Sequence, residues 1–376
     1  MAQLQYDEIC LTNGKPVSLL AKWMPSENAT SEPTKRHAHL LANLLGYSPR
    51  QYRKKLSALR KYLRVTEVDM SANQWGEIDY ARVPSRANLI YKDAFMRHDE
   101  DRRAAYLEAV NSGEAKINAG VLFPHDIVAR YAGCASRYES TIDGALEALW
   151  RALPNTMTGN GNVLVVRDGS GSMGSNIGKT SVRALDVSTA LAIYFAERCT
   201  GAFKDKYITF SACPEIVSLV GMETLMEKLR ESYRYDDCSN TNIEATFDLI
   251  LSAAVINGMN QADLPRIVLV ISDMEFDGAV YGRKAGATLF SNIAARFVRA
   301  GYALPKLAFW NVNSRTDTVP MKENENGVVL VSGFSPAVVK MVLSGELDPY
   351  MAMMNVLESD RYDMVREAIK EVEFTV

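Results

Sequence analysis

Twice in this chain a run of apolar, mostly β-branched residues leads to an aspartate. Asn162-Val163-Leu164-Val165-Val166-Arg167 precedes Asp168, and Arg266-Ile267-Val268-Leu269-Val270-Ile271-Ser272 precedes Asp273. Short apolar runs without polar alternation fit strands buried on both faces, which is the environment of a parallel sheet. A carboxylate standing just past such a strand opens onto the sheet edge where ligands bind in α/β folds.

Tyr207 to Phe210, Lys306 to Trp310 and Val328 to Val331 read as further strands. They alternate with helical stretches at Val182 to Arg198, Ile243 to Ile256 and Leu289 to Ala300. Alternation of this kind predicts a mainly parallel α/β sheet with helices on both faces. From Lys35 to Arg151 the period is instead helical, punctuated by Pro49, Pro84 and Pro124 and by Gly46, Gly113 and Gly120. That part is expected to be all-α. The turn-rich stretch Pro154 to Gly161 marks the boundary, giving a helical domain at 1–157 and an α/β domain at 158–376.

The length of 376 residues suits two domains, and 47% hydrophobic with 23% charged residues is a soluble globular composition. No apolar run is long enough to cross a bilayer, and the first residues lack a signal-peptide pattern, so a cytoplasmic protein without a membrane is expected. The five cysteines, at 10, 134, 199, 213 and 238, are scattered and never paired as C-x-x-C, which argues against a disulfide framework and a zinc site. The net charge of −3 divides unevenly, about +3 over residues 1–157 and about −6 over the rest, so the two parts face different partners.

Three loops carry the chemistry. Asp168-Gly169-Ser170-Gly171-Ser172-Met173 places an acid and two hydroxyls at alternate positions, with glycines permitting a tight backbone. Cys238-Ser239-Asn240-Thr241-Asn242 offers one more hydroxyl, and Ser272-Asp273-Met274-Glu275-Phe276-Asp277 supplies the second carboxylate with two further acids. Asp168, Ser170, Ser172, Thr241 and Asp273 form a hard oxygen donor set that suits Mg²⁺, or Mn²⁺ or Ca²⁺, rather than zinc or copper. Glu275 and Asp277 read as surface acids beside the loop, with tuning of the first ion or a second cation as the other readings.

The three loops, in this order and after strands, resemble the metal-ion-dependent adhesion site of von Willebrand factor A-type (vWA) domains, and the resemblance implies a Rossmann-like α/β fold with a mainly parallel sheet of six strands, preceded here by the all-α part. The resemblance extends along the chain. Ser18 to Ser26, Met70 to Ile78, Lys116 to Gly120 with Phe123-Pro124-His125, and Ile271 to Asp277 are similar to segments of the family known as domain of unknown function 2828. That family is related to the Ro autoantigen (TROVE) proteins, which join helical repeats to a vWA domain. The resemblance implies a non-enzymatic, metal-dependent binding module for structured small RNA, with the helical part touching the RNA. The alternative is a protein-interaction, scaffold or oligomer-forming module whose ion is completed by an acidic residue of a partner. Gly169 stands where relatives commonly carry Val or Thr, and Asn242 where many carry Asp.

Between Glu32 and Glu67 there is no acid, while Arg50, Arg53, Lys54, Lys55, Arg60, Lys61 and Arg64 are present. Such a block can follow a phosphate backbone or form the solvated face of a bundle helix. The run Gly174 to Thr180 imitates a phosphate-binding loop but has three residues between its glycines where four are needed. His37 and His39 are two apart, so on a helix they diverge, and no histidine follows His125 to serve as a base for a nucleophile in the metal loops. No enzymatic activity is expected.

Overall fold

The computed structural model describes residues 2–132, 141–157, 162–236, 242–273, 283–313, 328–332, 349–359, 362–363 and 365–366. The chain divides into two compact units, Met1–Asn118 and Ala119–Val376. No helix among the described residues is long and apolar enough to cross a membrane.

The first unit is helical: α1 (Ala2–Thr12), α2 (Leu20–Trp23), α3 (Glu32–Leu44), α4 (Pro49–Tyr62), α5 (Thr66–Ser71), α6 (Ser85–Ile90), α7 (Lys92–His98) and α8 (Glu100–Asn111). It begins earlier than the helical periodicity, which becomes visible only at Lys35. The start of α4 shows why a helix forms there. Pro49 fits the first turn, the Ser48 hydroxyl accepts from Gln51 N, and the Gln51 side chain accepts from Ser48 N. Tyr52, Leu56 and Leu59 then fall on one buried face, packed with Leu4, Ala21, Ala38 and Ala42. A second cluster gathers Ile78, Tyr80, Val83, Ala87 and Phe95. There the fully buried Arg103 guanidinium lies over the rings of Tyr80, Phe95 and Tyr106 and donates to Asn88 Oδ1.

The second unit contains α9 (Pro124–Ala132), α10 (Gly144–Arg151), β1 (Val163–Asp168), α11 (Ala184–Arg198), β2 (Lys206–Phe210), β3 (Ile216–Ser218), α12 (Leu225–Tyr233), α13 (Ile243–Ile256), β4 (Ile267–Ser272), α14 (Arg283–Arg299), β5 (Lys306–Asn311), β6 (Val328–Ser332) and α15 (Pro349–Leu357). The strands form one sheet in the order β3-β2-β1-β4-β5-β6, with β3 antiparallel to β2 and the other pairs parallel. It is therefore a mixed α/β fold.

Side-chain alternation sorts the strand residues onto two faces. Leu164, Val166, Ile208, Phe210, Val268, Val270, Leu307 and Phe309 pack with Ile243, Phe247 and Ile250 of α13 and Phe290, Ile293 and Phe297 of α14. Residues of the other parity meet α11, which is buried from Ala184 to Ala196 because β1 covers one side and α9 the other. Two side chains of α10, Glu147 and Trp150, fasten it into this layer. Glu147, itself buried, accepts from Leu225 N at 2.8 Å and Met226 N at 3.2 Å at the start of α12. Trp150 Nε1 donates to Glu197 of α11 at 3.0 Å. This packing explains why the compact units divide at Asn118, whereas the turn-rich stretch read as the boundary lies at Pro154 to Gly161.

Candidate metal centre

In this strand order the chain reverses direction across the sheet between β1 and β4, so their carboxyl ends flank a crevice. The register pairs Arg167 with Ile271, which brings Asp168 and Ser272 level and puts Asp273 one residue beyond. Asp168 and Asp273 are 2% and 1% exposed.

Both oxygens of the Asp168 carboxylate are held. Ser170 N donates to Oδ1 at 2.9 Å, turning the loop back on itself, and Ser272 Oγ donates to Oδ2 at 2.5 Å. The Asp168 carbonyl accepts from Ser188 Oγ of α11 at 3.1 Å, fixing the end of the strand. The Ser170 and Ser172 hydroxyls lie 3.1 Å apart, on the entry to a single 3₁₀ turn over Gly171–Gly174. Burial pushes the Asp168 carboxyl above its ordinary pKa, the Ser272 and Ser170 bonds oppose that, and the Asp273 carboxylate adds to the rise. Two acids and two hydroxyls thus converge on one rim.

Three features fix the loop, and of these the sequence reading assigned neither Arg167 nor Asn313 to the site. Arg167 is fully buried on the α11 face; its Nε donates to Thr189 Oγ1 at 2.9 Å, Nη1 to Ser232 O at 3.3 Å, and Nη2 to the Asp236 carboxylate. Gly169 lies against the same segment, where a Cβ would stand 3.1 Å from Tyr235 O and 3.5 Å from Asp236 Cα. Asn313 Nδ2, after β5, donates to Asn176 O at 3.4 Å. The segment that leads from α12 toward Thr241 is therefore tied to β1 through Arg167. An arginine closing an apolar strand, and a serine directly before the second aspartate, were the available signals for Arg167 and Ser272.

Of the five proposed ligands, Asp168, Ser170, Ser172 and Asp273 stand on this rim, and Thr241 lies outside the described residues, as do Glu275 and Asp277. Asn242, the first described residue after Thr241, donates its N–H to Ser211 O at 3.2 Å and caps α13 by accepting from Ala245 N at 3.0 Å. No group of three or more His, Cys, Asp or Glu side chains is assembled for a metal among the described residues. An ion here would rest on two carboxylates and on hydroxyls, a donor set that fits a hard cation retaining water. Lys179 is exposed beside Gly178 (φ +55°), in a turn whose flanks are joined by Ile177 N to Val182 O at 2.8 Å, which is not a phosphate-binding loop.

The basic residues proposed for RNA separate into two groups. Arg50, Arg53, Lys54, Lys61 and Arg64 are exposed, with Arg53 3.7 Å from Glu27. Arg60 is committed to structure, donating to Ala21 O, Ser26 Oγ and Met24 O at 2.9, 2.8 and 2.6 Å. Lys55 pairs with Glu8 and lies over the Tyr47 ring.

A family model described as domain of unknown function DUF7788 matches residues 162–373, and one described as DUF2828 matches residues 31–163. The two matches meet at the start of β1, close to the turn-rich stretch. An uncharacterised protein of Acanthamoeba polyphaga mimivirus is 30% identical over 361 residues, 91% of this chain and 60% of that protein, so the chain spans about 60% of that relative's length. The crystal structure of the Deinococcus radiodurans Ro (RSR) protein gives a TM-score of 0.48 at 16% identity, covering 92% of this chain and 73% of that one. The DUF7788 match takes in more than half of the residues and the DUF2828 match most of those before it, and the chain belongs to this DUF2828 and DUF7788 family.

Proposed function

We propose that the rim formed by Asp168, Ser170, Ser172 and Asp273 holds one divalent cation, Mg²⁺ by its preference for oxygen and retained water, and that the chain is a vWA-type binding module. The observation that carries this reading is the convergence of two buried acids and two facing hydroxyls at the crevice between β1 and β4. Buried like charges are costly side by side, and a cation between them removes that cost. A hard cation in such a set leaves a position for an outside oxygen, so the partner would present a carboxylate. Thr241 would complete the protein's share. No histidine follows His125 in the sequence to act as a base, and we read the module as non-enzymatic.

Titration with MgCl₂ while following thermal unfolding tests this. A cation bound only by the folded chain adds about 2.7 kcal/mol at a hundredfold excess over its dissociation constant. The midpoint should rise in the wild type and stay fixed in Ser170→Ala and Asp273→Asn. An equal rise in all three would reject the assignment.

A second reading, binding of structured RNA by the helical unit, draws on the resemblance to Ro-type proteins and on the exposed side chains of Arg50, Arg53, Lys54 and Lys61 along α4. Phosphate contacts there would make the affinity fall steeply with salt. Binding whose salt slope is unchanged in Lys54→Gln/Lys61→Gln would remove it.

A further inference from the structure

The opposite end of the sheet carries a different kind of site. At the amino ends of β1, β4 and β5 lies an open cleft of about 490 Å³, within the size range of small-molecule sites. Arg266 and Lys306, both exposed, line it from adjacent strands, with Lys306 N donating to Arg266 O at 2.9 Å. Neither side chain forms an ion pair among the described residues, and no acid lines the cleft. Asp263, in the turn beside it, uses its carboxylate to accept from Asn260 N.

The floor is fixed. Asn162 is 6% exposed and donates from Nδ2 to Leu264 O at 2.7 Å, and the backbone passes over it at Gly201, whose φ of +79° suits glycine. Gln261 Oε1 accepts from Ala303 N at 2.7 Å, which leaves its amide NH₂ as a donor, and the Thr200 hydroxyl adds another. Leu304 and Pro305 form an apolar wall.

We infer that this cleft binds a small phosphomonoester. Two cations and two neutral donors match a group with three terminal oxygens and a charge near −2. Like-charged neighbours without an acid between them are an arrangement that an anion stabilises. The cleft is larger than a bare phosphate needs, so the ester's body would lie on the Leu304 and Pro305 wall. Six residues of strand, about 20 Å, separate it from the acidic rim, so the two sites are independent.

Calorimetric titration of the full chain with inorganic phosphate and with AMP, in EDTA, tests the inference without any phosphate bound through a cation. Saturable binding of both is expected, tighter for AMP and weaker at higher salt. Arg266→Gln and Lys306→Gln should each weaken it about tenfold or more, and the double variant should abolish it, with circular dichroism unchanged. Absence of saturation with either probe, or equal affinity in the double variant, would overturn the assignment. Equal affinity for phosphate and AMP would overturn the role given to the apolar wall.

Discussion

Replacing Arg167 with methionine should weaken the fold of the second unit and loosen the rim that carries Asp168. The guanidinium is fully buried and the Asp236 side chain is 23% exposed. Removing one partner of a fully buried ion pair costs about 3–5 kcal/mol, chiefly by leaving the other charge uncompensated. Because Asp236 retains some solvent, about 2–4 kcal/mol is expected, including the donors lost to Thr189 and Ser232. In a unit of this size that corresponds to a fall of roughly 4–16 °C in melting midpoint. Urea unfolding of wild type, Arg167→Met, Asp236→Asn and the double variant closes a thermodynamic cycle. The double variant should be more stable than the sum of the single losses implies, because neither charge is then left alone. A single variant within about 0.5 kcal/mol of wild type, or strictly additive losses, would refute the reasoning.

Glu147→Ala should cost about 2–4 kcal/mol, since the buried carboxylate accepts the first two N–H groups of α12 and the Tyr131 hydroxyl; Glu147→Gln should recover part of it in the same denaturant assay. Phe247→Ala, at the centre of the core between α13 and the sheet, should cost about 3–5 kcal/mol by urea midpoint and slope. For Asp7, burial favours the neutral acid, but hydrogen bonds from the Ser18 hydroxyl and N–H and from Gln3 outweigh it and hold the carboxyl below its ordinary value of 3.8. The depressed pKa means that its stabilisation is present above pH 3.8 and is lost as pH falls toward the folded value, so Ser18→Ala should flatten the acid limb of a stability profile.

The apolar strands β1, β4 and β5 were legible because their residues are buried on both faces and need no pattern beyond hydrophobicity. The same property places both aspartates at one edge from the sequence alone. β3 escaped notice because Ile216–Ser218 is three residues long, too short to display a period, and it exists by pairing with β2. α12 escaped as well, although Thr224 and Glu227 spell a capping box, with the Thr224 hydroxyl accepting from Glu227 N. Charge was the least legible property. Arg60 and Lys55 lie in the same basic block as Lys54 and Lys61, yet their partners, Ala21, Met24, Ser26 and Glu8, are 34 to 47 residues away. Arg167 likewise completes an apolar run, and only its distant partners, Thr189 and Asp236, show that it organises the rim.

Crystals soaked in MnCl₂, with data collected at the manganese absorption edge, test the central claim most directly. A single anomalous peak is expected at the crevice between β1 and β4, about 2.1 Å from the Ser170 and Ser172 hydroxyl oxygens and bordered by Asp168 and Asp273. A peak elsewhere on the chain, with the rim empty at saturating manganese, would contradict the account.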